Sequence, residues 1–209
     1  MMDTHDPWLL HFTHVDNLAS VVQTGLVADT RRPPLSVECA EPGIKELRRA
    51  RPVPRGPMGV VADYVPFYFA PRSPMLFRIN SGGVRGYGAG QTPLVYLVTR
   101  LSAIVALNLP WVASDRNAAL ATARFATERD ELLAHIDWAL MRAEYWANTD
   151  EDGSRMQRRM AELLVHEHVP WAVFSHVYTQ NESLADTVRK IVAARERPVV
   201  AARAHWYFS

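Results

Sequence analysis

Glu162 is the acidic residue with the most unusual neighbours. It lies in RRMAELLVHEHVPW (158–171), between Met160 and the pair Leu163 and Leu164. A carboxylate held in such surroundings beside a cleft can stabilise positive charge that develops during bond breaking, or take a proton from an attacking nitrogen. The string AELLV alone is equally what a solvated face of an amphipathic helix looks like, and taken alone it favours that plainer reading. His11, in HFTHVDNL (11–18), sits near the end of a short apolar run. An imidazole there can donate to a hydroxyl, or be a core histidine with one backbone partner. Thr13 and Asn17 bring further hydrogen-bonding groups close by, although Asn17 also suits a helix cap.

The positive charge is carried almost entirely by arginine. Net charge is +1, and Lys45 and Lys190 are the only lysines among 23 basic residues. Arginine offers a planar fork for phosphates and a flat face for stacking, although a GC-rich genome explains the same bias. Arg48 and Arg49 lie in IKELRRARPVP (44–54), within a basic, proline-rich stretch. No G-x-G-x-x-G opens a helix after a strand, so a Rossmann dinucleotide site is not expected, and phosphates must meet arginines or loop amides. His166 and His168 form an H-x-H pair with no third ligand at useful spacing, so no metal site is expected. Cys39 is alone and forms neither an internal disulfide nor a zinc motif.

These residues need elements to position them. Trp8 to Thr13 reads as a short strand, followed by a helix capped at Asp16 or Asn17, with Leu18, Val21, Val22 and Leu26 inward and Gly25 as its stop. Residues 29–60 read mostly as loop, with one helical turn from Ile44 to Arg49. Asp63 to Ala70 reads as a strand in which Pro66 implies an edge or a bulge. A glycine-rich loop spans 80–91, and Pro93 to Val98 is a strand, with further strand character at Ile104–Leu107 and Trp111–Ala113. Thr127 with Asp130 resembles a capping box, ahead of a helix with Leu133, Ile136 and Leu140 on one face. The polar residues 148–155 read as a turn. Met160 to Val165 fits either a helix capped at Ser154 or a strand. Trp171–Tyr178 reads as a strand, Leu184–Ala194 as a helix and Val199–Phe208 as a last strand. Strands outnumber helices without alternating with them, which predicts an α+β fold, here expected as a single domain over 1–209.

HFTHVDNL, IKELRRARPVP, YVPFYFAPRSPML (64–76) and RRMAELLVHEHVPW together resemble the DarT family, in order and spacing, over most of the chain. The resemblance implies an ADP-ribosyltransferase-like fold, with two packed antiparallel sheets, an NAD cleft and peripheral helices. It implies a toxin that transfers ADP-ribose from NAD⁺ to thymine in single-stranded DNA in a sequence-dependent way. The partner it implies is an antitoxin carrying a macrodomain, and no metal is needed. Glu162 matches the family's catalytic glutamate and Arg48 its arginine, which supports catalysis and contacts NAD⁺. His11 matches the histidine of the first strand. With Thr13, Asn17, Tyr68 and Met75 it is expected to line the NAD⁺ site, Tyr68 by stacking on nicotinamide and Met75 by packing against it.

A duplex hides thymine N3 in its pairing edge, so a single strand is the natural acceptor. Arginines interleaved with aromatics suit such a strand. The candidates are Arg51, Arg55, Arg85, Tyr87, Arg155, Arg158 and Arg159, the last three expected at the mouth of the cleft. Some relatives carry a histidine where this chain has Asn117, and an amide can orient a base but is a poor general base. Transfer to RNA or protein, and a non-catalytic single-strand-binding module, are the alternatives. No run of about 18 apolar residues and no secretory signal stands out, so a cytoplasmic protein is expected.

Overall fold

The computed structural model describes residues 4–193 and 198–209. In chain order its elements are β1 (Trp8–His14), α1 (Leu18–Thr24), β2 (Leu26–Val27), α2 (Pro42–Ala50), β3 (Tyr64–Tyr68), α3 (Pro74–Asn80) and β4 (Leu94–Arg100). There follow α4 (Leu101–Ala106), β5 (Trp111–Ser114), β6 (Phe125–Ala126), α5 (Arg129–His135), α6 (Trp138–Arg142) and α7 (Arg155–Arg159). The chain closes with β7 (Glu162–His166), β8 (His168–Val169), β9 (His176–Thr179), α8 (Glu182–Val192) and β10 (Val199–Ala202). The irregular succession of strands and helices is that of an α+β fold.

Eight strands hydrogen-bond in the order β10-β9-β4-β1-β3-β7-β5-β6, and β2 pairs with β8 in a separate sheet. The β10–β9 pair is parallel. β1 and β4 stay in register from Trp8↔Arg100 to His14↔Leu94, and β3 and β7 from Tyr64↔His166 to Tyr68↔Glu162. Between these ladders, β1 meets β3 at one pair, Leu10↔Tyr68. The large sheet is therefore two four-stranded halves joined at a single residue pair, and a gap opens between them toward His14 and Tyr64.

That gap explains Pro66. It lies in a strand with neighbours on both sides, not at an edge or a bulge as its sequence suggests. The N–H and C=O of one strand residue project to the same side, and the Pro66 carbonyl accepts from His11 Nδ1 at 2.9 Å, across the gap. Its missing N–H therefore faces the gap too, where no ladder partner waits. The same rule applies to β1. Val15 N–H donates to the Pro93 carbonyl beside β4, so odd-numbered β1 residues turn their main chain to β4 and Phe12 turns its own to the gap.

Successive β1 residues bury on opposite faces. Leu9 joins Phe67, Leu97 and Leu163 beneath α1 and α8. Leu10 and Phe12 join Tyr96, Tyr178 and the C-terminal Tyr207. Gly25 ends α1 at φ 75, and a Cβ there would lie 2.3 Å from the Val169 carbonyl oxygen, so both backbone angle and space call for glycine.

Several local expectations change. The stretch 29–60 contains a nine-residue helix, α2, started by Pro42 in its first turn. Leu101–Ala106 is helix rather than strand. The helix expected after Thr127 is two, because Ile136 is extended and Asp137 caps anew by accepting from Leu140 N–H. Thr127 offers no side-chain cap; its N–H donates to Glu131. The ambiguous segment resolves into α7 followed by strand from Glu162. Residues 171–173 form a 3-10 turn before β9, and β10 stops at Ala202 ahead of another turn at 204–206. The expected helix end at Ala194 lies outside the described residues.

Candidate active site

β7 begins at Glu162, directly opposite Tyr68 on β3 and Ser114 on β5. This register places the carboxylate beside the junction of the two half-sheets. Its side chain is 2% exposed. Burial on this scale demands a partner, and Arg48 supplies it. One nitrogen, Nη1, donates to Oε1 at 3.0 Å and to Oε2 at 2.8 Å. Arg48 reaches in from α2, which buries none of its own residues. That helix is held by charge instead: Lys45 pairs with Asp29 at 2.9 Å and with Glu38 at 2.5 Å, Arg49 with Asp29 at 2.7 Å. Against a burial penalty, Lys45 and Arg32 hold both carboxyls below the usual range. The other Arg48 nitrogen, Nη2, is buried without a partner.

His11 lies on the gap side of β1. Burial lowers its pKa to about 4, overriding the Pro66 carbonyl bond, with Arg32 and Arg48 adding to the depression. The ring is thus neutral near pH 7, and since a carbonyl only accepts, the proton is on Nδ1. Nε2 is left as an acceptor. In this tautomer His11 can meet a hydroxyl only by accepting from it, not by donating as the sequence suggests. Burial and the neighbouring Glu162 raise the Tyr68 phenol's pKa well above its ordinary value, so it stays protonated, with its O–H 3.8 Å from Met75 sulfur. Tyr68 also stacks with Phe12 at 6.3 Å between centroids.

Asn17, 1% exposed, is committed elsewhere. Its amide donates to Thr13 Oγ1 at 3.1 Å and to the Val37 carbonyl at 2.8 Å, and accepts from Val37 N–H at 3.0 Å. It makes no helix-cap bond. Asn17 and Thr13 fasten the 29–41 loop to β1, and so shape the wall that α2 hangs from.

The arginines expected on DNA divide. Arg159 is 5% exposed and donates to the carbonyls of Leu140, Met141, Ala143 and Pro71, so it ties α6 and the end of β3 together rather than lying free at a cleft mouth. Arg158 pairs with Asp152 and Asp137, and Arg55 with Glu131. Arg155 donates to the Ala147 and Tyr145 carbonyls, and Arg51 to that of Ala121. Arg85 is exposed, while Tyr87 is buried with its hydroxyl on the Gly90 carbonyl. Asn117 turns its side-chain oxygen to Ala119 N–H. Sequence reasoning missed Asp115, 2% exposed, which gathers Arg116 and Arg124. It also missed the Asp29–Glu38–Lys45 web. Their partners lie within 16 positions in the chain, but in irregular stretches with no periodicity to say which charges the loops bring together. Among the described residues, no group of three metal-ligating side chains exists, and no helix is long and apolar enough to cross a membrane.

A split, mainly antiparallel sheet, a buried glutamate held by an arginine and a neutral histidine at the split are the features of the NAD-dependent ADP-ribosyltransferase class. Comparison with known proteins sharpens this. The family model for the ssDNA thymidine ADP-ribosyltransferase DarT matches residues 10–208. The DNA ADP-ribosyl transferase of Thermus sp. strain 2.9 is 38% identical over 204 residues, 96% of this chain and 95% of its own length. The structure of that organism's DarT in complex with ADP-ribosylated ssDNA superposes with a TM-score of 0.90 at 37% identity, covering 97% of this chain and 96% of the other. Its complex with NAD⁺ gives 0.87 at 36% identity, covering 97% and 98%. A DNA ADP-ribosyl transferase–DNA ADP-ribosyl glycohydrolase fusion protein of Thermosipho africanus is 24% identical over 201 residues, 92% of this chain and 47% of the fusion. The chain belongs to the DarT family of ssDNA thymidine ADP-ribosyltransferases.

Proposed function

We propose that this chain, acting as a single domain, transfers ADP-ribose from NAD⁺ to thymine N3 in single-stranded DNA, with Glu162 and Arg48 as the reacting pair. The observation that carries the reading is the buried Arg48–Glu162 contact at the junction of the two half-sheets. NAD⁺ brings a pyrophosphate, ribose hydroxyls and a planar carboxamide. The chain offers a complement to each: Arg48 Nη2 without a partner, His11 Nε2 as an acceptor, and the Phe12 N–H and C=O turned to the gap.

In the reaction the bond from ribose C1′ to nicotinamide breaks, and its electron pair leaves with the pyridine nitrogen. A bond from thymine N3 to C1′ forms, and the N3 proton leaves to Glu162. Before that, the carboxylate stabilises positive charge at C1′. Because Arg48 covers Glu162 in this structure, Arg48 must change partner, from carboxylate to phosphate, when NAD⁺ enters. The movement is feasible because α2 rests on ion pairs and not on buried apolar surface. Tyr68 and Met75 form a wall of the same site, and Asn117, Arg51, Arg55, Arg85, Arg155 and Arg158 remain candidates for the path of the acceptor strand. Such an activity calls for control, and the partner proposed is an antitoxin with a macrodomain that removes the mark.

Mass spectrometry of thymine-containing single-stranded oligonucleotides after incubation with NAD⁺ tests the reading. The expected product carries one ADP-ribose on thymine. Label found only on protein or RNA would overturn it, and so would Glu162→Ala protein that keeps full transfer activity.

A further inference from the structure

At the end of the sheet where β1 begins, β3 has just ended and β7 is about to begin, a cavity of 480 Å³ opens to the surface. Glu162 does not line it. Trp8, Arg72, Arg142, Arg159 and Trp206 do. The size suits a small ligand or one nucleotide. Resting on the single-stranded DNA reading above, we propose that this cavity is a second subsite of the acceptor strand. It takes a nucleotide that flanks the modified thymine, with its phosphate at the Arg72 and Arg142 guanidinium groups and its base against the indoles.

Charge comes first. Eleven arginines form ion pairs with carboxylates, but among the described residues Arg72, Arg142 and Arg159 form none. Three unneutralised cations thus meet at one cavity, where Glu144 is the lone lining carboxylate. Burial and the charge of Arg72 lower the Arg159 pKa to about 10, a sign that like charges are held together here. Arg159 is 5% exposed and its Nε has no partner, as is also true of Arg72 Nε. Uncompensated cationic charge around a cavity in this way favours an anion there.

The site is also built. Arg72 is held at φ 56, a conformation uncommon for a side chain other than glycine. Its N–H donates to Tyr96 hydroxyl, and its guanidinium lies 5.0 Å from the Phe208 ring centroid. Arg100 lies 3.7 Å from the Trp8 centroid, and Tyr178 meets Trp206 edge-on at 4.8 Å. Cations on rings and paired aromatic edges suit stacking of a base regardless of its identity. Arg159 precedes Glu162 by three residues, so the two backbones are at most about 10 Å apart. That is within reach of a neighbouring nucleotide on the same strand.

The test compares two oligonucleotides, one with only the modified core and one with flanking nucleotides, in the wild type and in Arg142→Ala and Arg72→Gly proteins. Arg142 is exposed, so its removal spares the core, and glycine accepts the backbone angle of residue 72. The expected result is a KM for the flanked strand raised about tenfold with kcat kept, as for one lost charged contact. The short strand is unaffected, and the salt dependence of log KM is shallower by about 0.7 per phosphate released. Equal changes on both strands, or an unchanged salt slope, overturn the subsite. If wild-type protein binds the flanked strand with the same dependence on Arg142 but transfers nothing, the transferase reading fails and the cavity stands. Binding indifferent to Arg142 and Arg72 removes the cavity whatever the transfer activity.

Discussion

Glu162→Gln swaps one oxygen for an amide nitrogen at nearly constant volume, so any effect comes from charge. Two consequences follow from the Arg48 contact. The first is on stability. The substitution leaves the Arg48 guanidinium, 15% exposed, facing a neutral amide that still accepts one of its two bonds. Breaking a fully buried pair costs about 3–5 kcal/mol; the surviving bond and the partial exposure of Arg48 reduce this to about 2–3 kcal/mol. For a chain of 209 residues that lowers Tm by about 4–12 °C. The second is on rate. Loss of a carboxylate that meets developing charge lowers kcat by about 100- to 1,000-fold. Thermal melting followed by near-UV circular dichroism reads the first, and mass-spectrometric transfer rates read the second. Adding Arg48→Met to Glu162→Gln removes the orphaned cation, so the double variant melts higher than Glu162→Gln alone while staying inactive. A single variant that melts at or above the wild type, or that keeps a tenth of its kcat, refutes the reasoning from the pair.

Further predictions use the same geometry. Above its ordinary pKa of 6.5, His11 is neutral whether folded or unfolded; as pH falls from there to about 4, only the unfolded chain takes the proton, so stability declines by at most about 3 kcal/mol across that window and then levels off. Urea melts at pH 7 and pH 4.5 of the wild type and His11→Phe check this, the variant lacking that part of the decline. Asn17→Ala leaves Val37 N–H and C=O without side-chain partners, costs about 2–4 kcal/mol, and raises KM for NAD⁺ by loosening the 29–41 loop; limited proteolysis cutting at Arg31 and Arg32 reports the loosening. Arg159→Met removes bonds to four carbonyls, of which Leu140's keeps the Ala143 N–H, and lowers Tm more than Arg155→Ala, whose two carbonyl bonds are exposed. Equal melting points for those two variants would remove the scaffold role of Arg159.

The parts of the molecule legible in the sequence are those set by local pattern. β1, β3 and β4 alternate or run apolar, α1 ends at a glycine, and α8 shows its apolar face at helical spacing. The order of motifs singles out Glu162, Arg48 and His11, whereas AELLV alone favours a solvated helix face. Their meeting could not be read, since it joins residues 114 positions apart. The Asn17 side chain makes no cap bond, and its bond to Val37 is not legible in the sequence because Val37 lies in a stretch with no pattern at all. Pro66 misled for a similar reason. A proline disqualifies an inner strand only where the ladder is closed, and local sequence does not show that β1 and β3 part company. The helix after Thr127 breaks at Ile136, where Asp137 restarts the chain by capping α6, a local cap that competes with continuous helical periodicity.

The separation of the two half-sheets bears on how this protein can change. A strand whose inner margin is left unzipped offers main-chain groups to a ligand, and every amino acid except proline presents the same ones. Substituting the phenyl group at position 12 alters packing but not the donor and acceptor aimed at the opening. Compounds that grip this margin through its main chain, as proposed for the carboxamide of NAD⁺, are therefore hard to evade by point substitution. Escape requires re-routing the strand itself, and Leu9 and Leu10, buried on its two faces, hold that course.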